Sequence, residues 1–304
     1  MEPIITKDIF AIVTNLIIQK LESGVVPWKQ PWKSIGPPVN LVTPRPYRGV
    51  NYLLLNSFHY PQNEFLTFNQ VQDLGGRISK GEKAHLVILW IWLDEEKRQQ
   101  KSAEAVGRQF PLLRYYYVFN ISQCTGIPSR SECLAPLKHN DPIEHCEKIV
   151  AAMPNCPRIV HNENEAYYHP VADFINMPQL AAFESSESYY ATLFHELIHS
   201  TGNKDRLNRK EIIEPNTFGS ESYSIEELTA EIGTCYLTSC AGIAMDGLTN
   251  HVAYIQGWLK RLKEDKKFIV YASAQAQKAV DYILNMKHEE HDLINLLDKS
   301  DYYA

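Results

Sequence analysis

The sequence lacks any run of about 18 apolar residues, which excludes a membrane-spanning helix by hydropathy. Its start carries Glu2, Lys7 and Asp8 where a secretory signal would be apolar. Six cysteines (Cys124, Cys133, Cys146, Cys156, Cys235 and Cys240) form no CxxC pair, so zinc-finger spacing is absent. Together these point to reduced thiols in a cytoplasmic protein. No internal repeat or low-complexity segment is present. With 44% hydrophobic and 22% charged residues, collagen, coiled coil and wholesale disorder are also excluded. A length of 304 residues suggests about two domains.

The other scarcity is local. Between Ser23 and Asn63 there is no acidic residue. Taken whole, the net charge of −6 argues mildly against a nucleic-acid partner. Divided, the charge is asymmetric: residues 1–140 hold 16 Lys+Arg and 11 Asp+Glu, a net of +5, whereas residues 141–304 hold 14 and 25, a net of −11. Within the acid-free window, Lys29, Lys33, Arg45 and Arg48 alternate with Trp28, Trp32, Tyr47 and Tyr52. Cations neutralise phosphates and aromatic faces stack on unpaired bases, so this mixture favours single strands over duplex. Arg77, Lys80 and Lys83, in GGRISKGEK, form a second basic cluster able to track a backbone. Tryptophans beside prolines are also common core residues. Trp90 and Trp92, alternating with apolar neighbours in a strand-like run, read as core.

The pattern predicts an α+β fold. A helix runs from Ile5 to Leu21 with Gly24 as its stop, Val25 to Pro46 is irregular, and strands are expected at Leu86–Leu93 and Leu112–Ile121 around a charged loop. These define a small mixed module over residues 1–125, followed by a linker at 126–141. Residues 142–304 predict a helix near Pro142–Met153 and short strands at Arg158–His161, Ala166–His169 and Phe174–Met177. Helices at Ser188–Thr201, Ser224–Ala241, Thr249–Lys263 and Lys267–Met286 follow.

The sharpest motif is His195-Glu196-Leu197-Ile198-His199, an HExxH within a helical pattern. Helical spacing sets both histidines on one face, where two imidazoles can hold one Zn²⁺, with Glu196 alongside as general base. A catalytic zinc needs a third protein ligand. Asp205, after Gly202 in HExxHxxGxxD, is one candidate. The other is SIEELTAEIGTCYL, where Glu227 and Glu231 are four apart on one face. One of these carboxylates would bind metal and the other would orient a ligand histidine. Ser224-x-x-Glu227 also fits a simple capping box.

The strings YYATLFHELIHSTGNKDRLNR and YSIEELTAEIG resemble the metallopeptidase domain of ArdC-type antirestriction proteins. So does WLKRLKEDKKFIVYASAQAQKAVDYIL, and PWKQPW, PYRGVNYLLLN, GGRISKGEK and YYYVFNISQCTG resemble that family's N-terminal domain in the same order. The resemblance implies a zincin-like, gluzincin-type C-terminal fold in which His195, His199 and Glu227 bind the metal, Glu196 is the catalytic acid/base and Glu231 supports a ligand. It further implies an edge strand within Tyr167–Met177 for an extended peptide, and single-stranded DNA binding by the N-terminal domain. Tyr223 is a candidate transition-state donor.

The expected function is thus an antirestriction protein that binds single-stranded DNA, protects incoming mobile DNA and carries a zinc-dependent peptidase-like domain. The two-His, one-carboxylate set also accepts other divalent ions such as Mn²⁺. The rival reading is a regulatory zinc metallopeptidase whose N-terminal domain recognises protein substrates.

Overall fold

The computed structural model describes residues 8–28, 36–58, 60–94, 109–127, 142–213, 221–243 and 252–286. Lys29, Trp32 and Lys33, most of the charged loop after β4 and most of the linker lie outside them.

Helix α1 (Ile9–Glu22) starts where Asp8 accepts a hydrogen bond from the Ala11 amide, and it buries Val13, Ile17, Ile18 and Leu21 along one stripe. After the short strand β1 (Val39–Asn40) comes α2 (Val50–Asn56), absent from the sequence reading because VNYLLLN is an apolar run without period. Strand β2 (Glu64–Thr67) leads into α3 (Phe68–Asp73) through a capping box between Thr67 and Gln70. Strand β3 (Arg77–Ile78) precedes a long hairpin of β4 (His85–Asp94) and β5 (Gln109–Asn120), in register from His85 opposite Val118 to Asp94 opposite Gln109. The main sheet has the order β1-β2-β5-β4, while β6 (Cys124–Thr125) pairs with β3.

In the second half, α4 (Pro142–Ala152) precedes β7 (Arg158–Val160), β8 (Tyr167–His169) and β9 (Phe174–Asn176). Their order is β7-β9-β8, with β9 central, parallel to β7 and antiparallel to β8. Helices α5 (Ser186–Ser200), α6 (Lys210–Ile213), α7 (Glu221–Ala241), α8 (Val252–Glu264) and α9 (Phe268–Ile283) follow. Glycine at position 233 permits α5 and α7 to approach closely, because a Cβ there would lie 2.6 Å from Cδ1 and 2.8 Å from Cγ1 of Ile198. That approach brings the motif helix against the acidic one.

One apolar core joins the halves: Val13, Ile17, Tyr52 and Leu53 pack with Tyr236, Trp258, Phe268 and Ile269. It bears on three of the residues expected at a DNA contact. Trp28 is 0% exposed and meets Trp258 edge-on at a centroid distance of 5.4 Å. Tyr52 is 2% exposed, tilted against Tyr236 and hydrogen-bonded to the Cys235 carbonyl, and Tyr47 is 8% exposed against Phe65. Trp28 and Tyr52 lie inside the core, where rings this large gain from burial, whereas Tyr47 lines a cavity beside the sheet. The opposite correction applies to Trp90, which is 42% exposed instead of core. The side chain of Trp92 is outside the described set.

Candidate metal centre

The HExxH residues sit in the last turns of α5, whose apolar side (Leu193, Phe194, Leu197 and Ile198) is buried. Helical geometry leaves His195 and His199 together, with their Nε2 atoms 3.0 Å apart. From α7, Glu227 brings one carboxylate oxygen to 3.8 Å from His195 Nε2 and the other to 3.7 Å from His199 Nε2. Among the described residues, these three form the group whose donor atoms converge within 4.8 Å. Asp205 lines the same cleft on the loop beyond Gly202 but falls outside that group. Gly202 serves packing there, since a Cβ would meet Ile212 Cγ1 at 2.5 Å.

Behind the histidines lies a buried polar chain. His199 Nδ1 is 3.0 Å from Glu226 Oε1, and Glu226 is gripped by Arg209 through Nε at 2.9 Å and Nη2 at 2.6 Å. Arg209, 4% exposed, also donates to Thr201 Oγ1 and to the Ile198 carbonyl, closing the C-terminal end of α5. Burial would push Glu226 up, yet the charge of Arg209 and the bonds from His199 and Arg209 outweigh it and hold the carboxyl at about 2. Burial likewise opposes charge on His199, but its bond to Glu226 and the charges of Glu227 and Glu226 raise it to about 9. Surroundings that favour a proton on His199 equally favour a metal cation at Nε2. With Nδ1 engaged by Glu226, Nε2 is the nitrogen left for a ligand. Burial, with the neighbouring His199 charge, lowers His195 to about 3, so it presents a lone pair.

Two imidazoles, one carboxylate and a cleft rich in acid thus fit a divalent cation. Glu196 is 8% exposed and lines the cleft; burial raises its carboxyl, with a backbone hydrogen bond at Tyr168 of β8 opposing. The cleft, of about 1050 Å³, also takes Tyr168 and Tyr223 into its wall. Its floor loop is pinned by Arg206, which binds Asp173, Tyr168 and the Ser200 carbonyl.

Glu226 and Arg209 were missed by sequence reasoning, which looked for the histidine's supporting carboxylate at Glu231, one turn beyond Glu227. The adjacent pair Glu226-Glu227 was the available signal. Of the expected DNA contacts, Arg77, Lys80 and Lys83 are exposed around β3, Arg45 is half-buried, and Arg48 pairs with Asp281 of α9.

Fold and motif together define a zincin-like domain with an added N-terminal module. Residues 144–275 match the zincin-like metallopeptidase family, and residues 7–119 match the N-terminal domain of anti-restriction factor ArdC. The crystal structure of the antirestriction ArdC protein from plasmid R388 in its metal-free form superposes with a TM-score of 0.73 at 32% identity, covering 92% of this chain and 100% of that one. Its Mn(II)-bound form gives a TM-score of 0.73 at 35% identity over 91% and 97%. The chain belongs to the ArdC antirestriction family. It is also 32% identical over 288 residues to protein y4eC of Sinorhizobium fredii, 91% of each chain. A similar match, 32% over 303 residues, covers 91% of this chain but 27% of an Escherichia coli DNA primase TraC.

Proposed function

We propose that this chain is an antirestriction protein that holds single-stranded DNA on residues 1–125 and carries a zinc-dependent peptidase-like centre in residues 142–304. The convergence of His195, His199 and Glu227 within 4.8 Å, in a chain that aligns end to end with the R388 antirestriction protein, carries the reading. His195, His199 and Glu227 are the ligands, and Glu226, rather than the expected Glu231, supports them through His199 Nδ1. The Mn(II) in the R388 relative favours a divalent ion, and the two-His, one-carboxylate set suits zinc.

A divalent ion held there supplies Lewis acidity for amide hydrolysis. The protein's own groups do the rest. Glu196, raised by burial, takes a proton from the attacking water as the water oxygen bonds to the carbonyl carbon, and returns that proton to the amine as the C–N bond breaks. Strand β8 is an edge of its sheet, so its outer side receives an extended peptide beside Glu196. Arg209 and Glu226 keep His199 oriented throughout, and Tyr223, in the cleft wall, is the candidate donor to the reacting carbonyl.

The antirestriction effect follows from DNA occupancy. Restriction enzymes cut duplex, so a strand held by Arg77, Lys80, Lys83 and Arg45 is delayed in becoming a target. This protection acts in the cytoplasm, on DNA arriving there; no helix among the described residues is long and apolar enough to cross a membrane. The test is conjugative transfer into a restricting host expressing the wild type or Glu196→Ala. Protection by both supports occupancy; its loss in Glu196→Ala assigns protection to the peptidase; absence of protection by the wild type overturns the reading.

A further inference from the structure

Strand β8 lines the cleft with Tyr167 and Tyr168, yet it is three residues long and pairs with β9 on one side only. Most strands run to about 5–6 residues, so backbone pairing contributes little to fixing its position. A side-chain cluster ties it to the motif helix instead. Arg206, whose side chain is 2% exposed, engages every N–H of its guanidinium. Nε donates at 2.7 Å to the carbonyl of Ser200, which follows His199 at the end of α5. Nη1 donates to the Asn155 carbonyl at 3.0 Å and to Asp173 at 3.1 Å. Nη2 donates to the Tyr168 hydroxyl at 3.1 Å and to the other Asp173 oxygen. Tyr168 is equally saturated. Its hydroxyl donates to Asp173 at 2.8 Å and accepts from Arg206 and from Asn203 Nδ2 at 2.9 Å, filling its one donor and two lone pairs. Asp173 lies in the β8–β9 turn, and Asn203 also holds the Pro170 carbonyl of that turn. On its other side, the backbone amide of Tyr168 bonds the Glu196 carboxylate. One residue of the edge strand is thus gripped at its hydroxyl and touches the acid of the motif at its amide.

We propose that Arg206, Asp173 and Asn203 are positioning residues of the cleft: by gripping the Tyr168 hydroxyl they fix the line along which an extended peptide passes Glu196. The inference rests on the peptide-receiving reading of β8 above and names the residues on which its geometry depends. The cluster needs the planar guanidinium fork, because one flat group reaches helix end, turn and strand together; the compact ammonium of a lysine does not. The position of the strand matters to the chemistry, since a misplacement of about 1 Å at a reacting group costs up to about 100-fold.

Two hydroxamates, titrated by calorimetry into the full chain loaded with Zn²⁺, test this. Acetohydroxamate engages the metal alone, whereas acetyl-trialanine hydroxamate adds an extended backbone for β8. The wild type is expected to prefer the peptide hydroxamate by about 10-fold or more. Arg206→Met is expected to erase most of that preference, and Arg206→Lys not to restore it. Tyr168→Phe keeps the ring and loses only the hydroxyl; it is expected to lower the preference about 3- to 10-fold. In both, affinity for Zn²⁺ and for acetohydroxamate is expected to stay unchanged. Hydrogen exchange of the metal-free chain gives a second readout: in Tyr168→Phe the amides of β8 and β9 exchange faster while those of α5 do not. A wild-type preference that Arg206→Met and Tyr168→Phe leave intact overturns the positioning role and leaves the peptide reading standing. Equal loss of both hydroxamates, or loss of Zn²⁺ itself, makes the cluster a support of the metal centre and also overturns it. A wild type that binds the two hydroxamates alike overturns the peptide reading, and the inference with it.

Discussion

His199 Nδ1 lies 3.0 Å from Glu226, whose other side is clamped by the buried guanidinium of Arg209. His199 is thus fixed through a chain of contacts to the end of its own helix. Glu226→Gln is expected to lower metal affinity about 10- to 100-fold while the fold persists. Arg209→Met removes the cation that grips the buried Glu226, leaving it only His199, and is expected to cost about 3–5 kcal/mol of stability as well. Titration calorimetry with Zn²⁺ and thermal denaturation separate the two effects.

Gly233 sets the distance between the histidine helix and the glutamate helix. Gly233→Ala is expected to destabilise by about 1–3 kcal/mol through overpacking against Ile198, despite alanine's better helix propensity. It also weakens metal binding, since the donors sit on the two helices being separated. Ile198→Ala in the same chain removes the clash and should recover metal affinity; calorimetry on the pair checks this.

Trp28 is a core residue of the joint between the halves. Trp28→Ala is expected to cost about 3–5 kcal/mol. DNA affinity per folded molecule should stay within twofold. Chemical denaturation combined with fluorescence anisotropy of a labelled single strand distinguishes a ring that packs from one that stacks on bases.

His85 introduces a pH dependence far from the metal. It is buried, bonded to the Tyr60 hydroxyl at 2.8 Å and packed on Phe58. Burial lowers its pKa to about 4, only partly opposed by Gln123 and Glu82. An unfolded histidine titrates near 6.5, so between about pH 6.5 and 4 the unfolded chain binds a proton that the folded chain refuses. Stability contributed by neutral His85 is complete above pH 6.5 and falls as the pH drops through that window, by about 1–3 kcal/mol. His85→Phe should flatten this part of the profile in denaturation measured at successive pH values.

What could be read in the sequence was what is local. The HExxH lies within one helix, so its geometry follows from helical spacing alone. The strands β7, β8 and β9 and the long hairpin also showed in apolar and β-branched runs, within a few residues of their ends. Glu226 did not, because its contact with His199 depends on how α7 is rotated and how closely Gly233 lets it approach. The aromatics of the acid-free window were ambiguous for a related reason: Trp28 and Tyr52 are covered by α8 and α7, from the far half of the chain. Composition cannot distinguish a ring covered by a distant helix from one left open. Short α2 and α3 carried too few turns to show a period.

His195, His199 and Glu227 are proposed to form one metal centre. Anomalous diffraction at the zinc edge, from crystals of the full chain grown with Zn²⁺, tests it most directly. The expected result is a single strong peak about 2.0–2.2 Å from both Nε2 atoms and a Glu227 oxygen. A peak held by Asp205 in place of Glu227, or none at the two histidines, would contradict it.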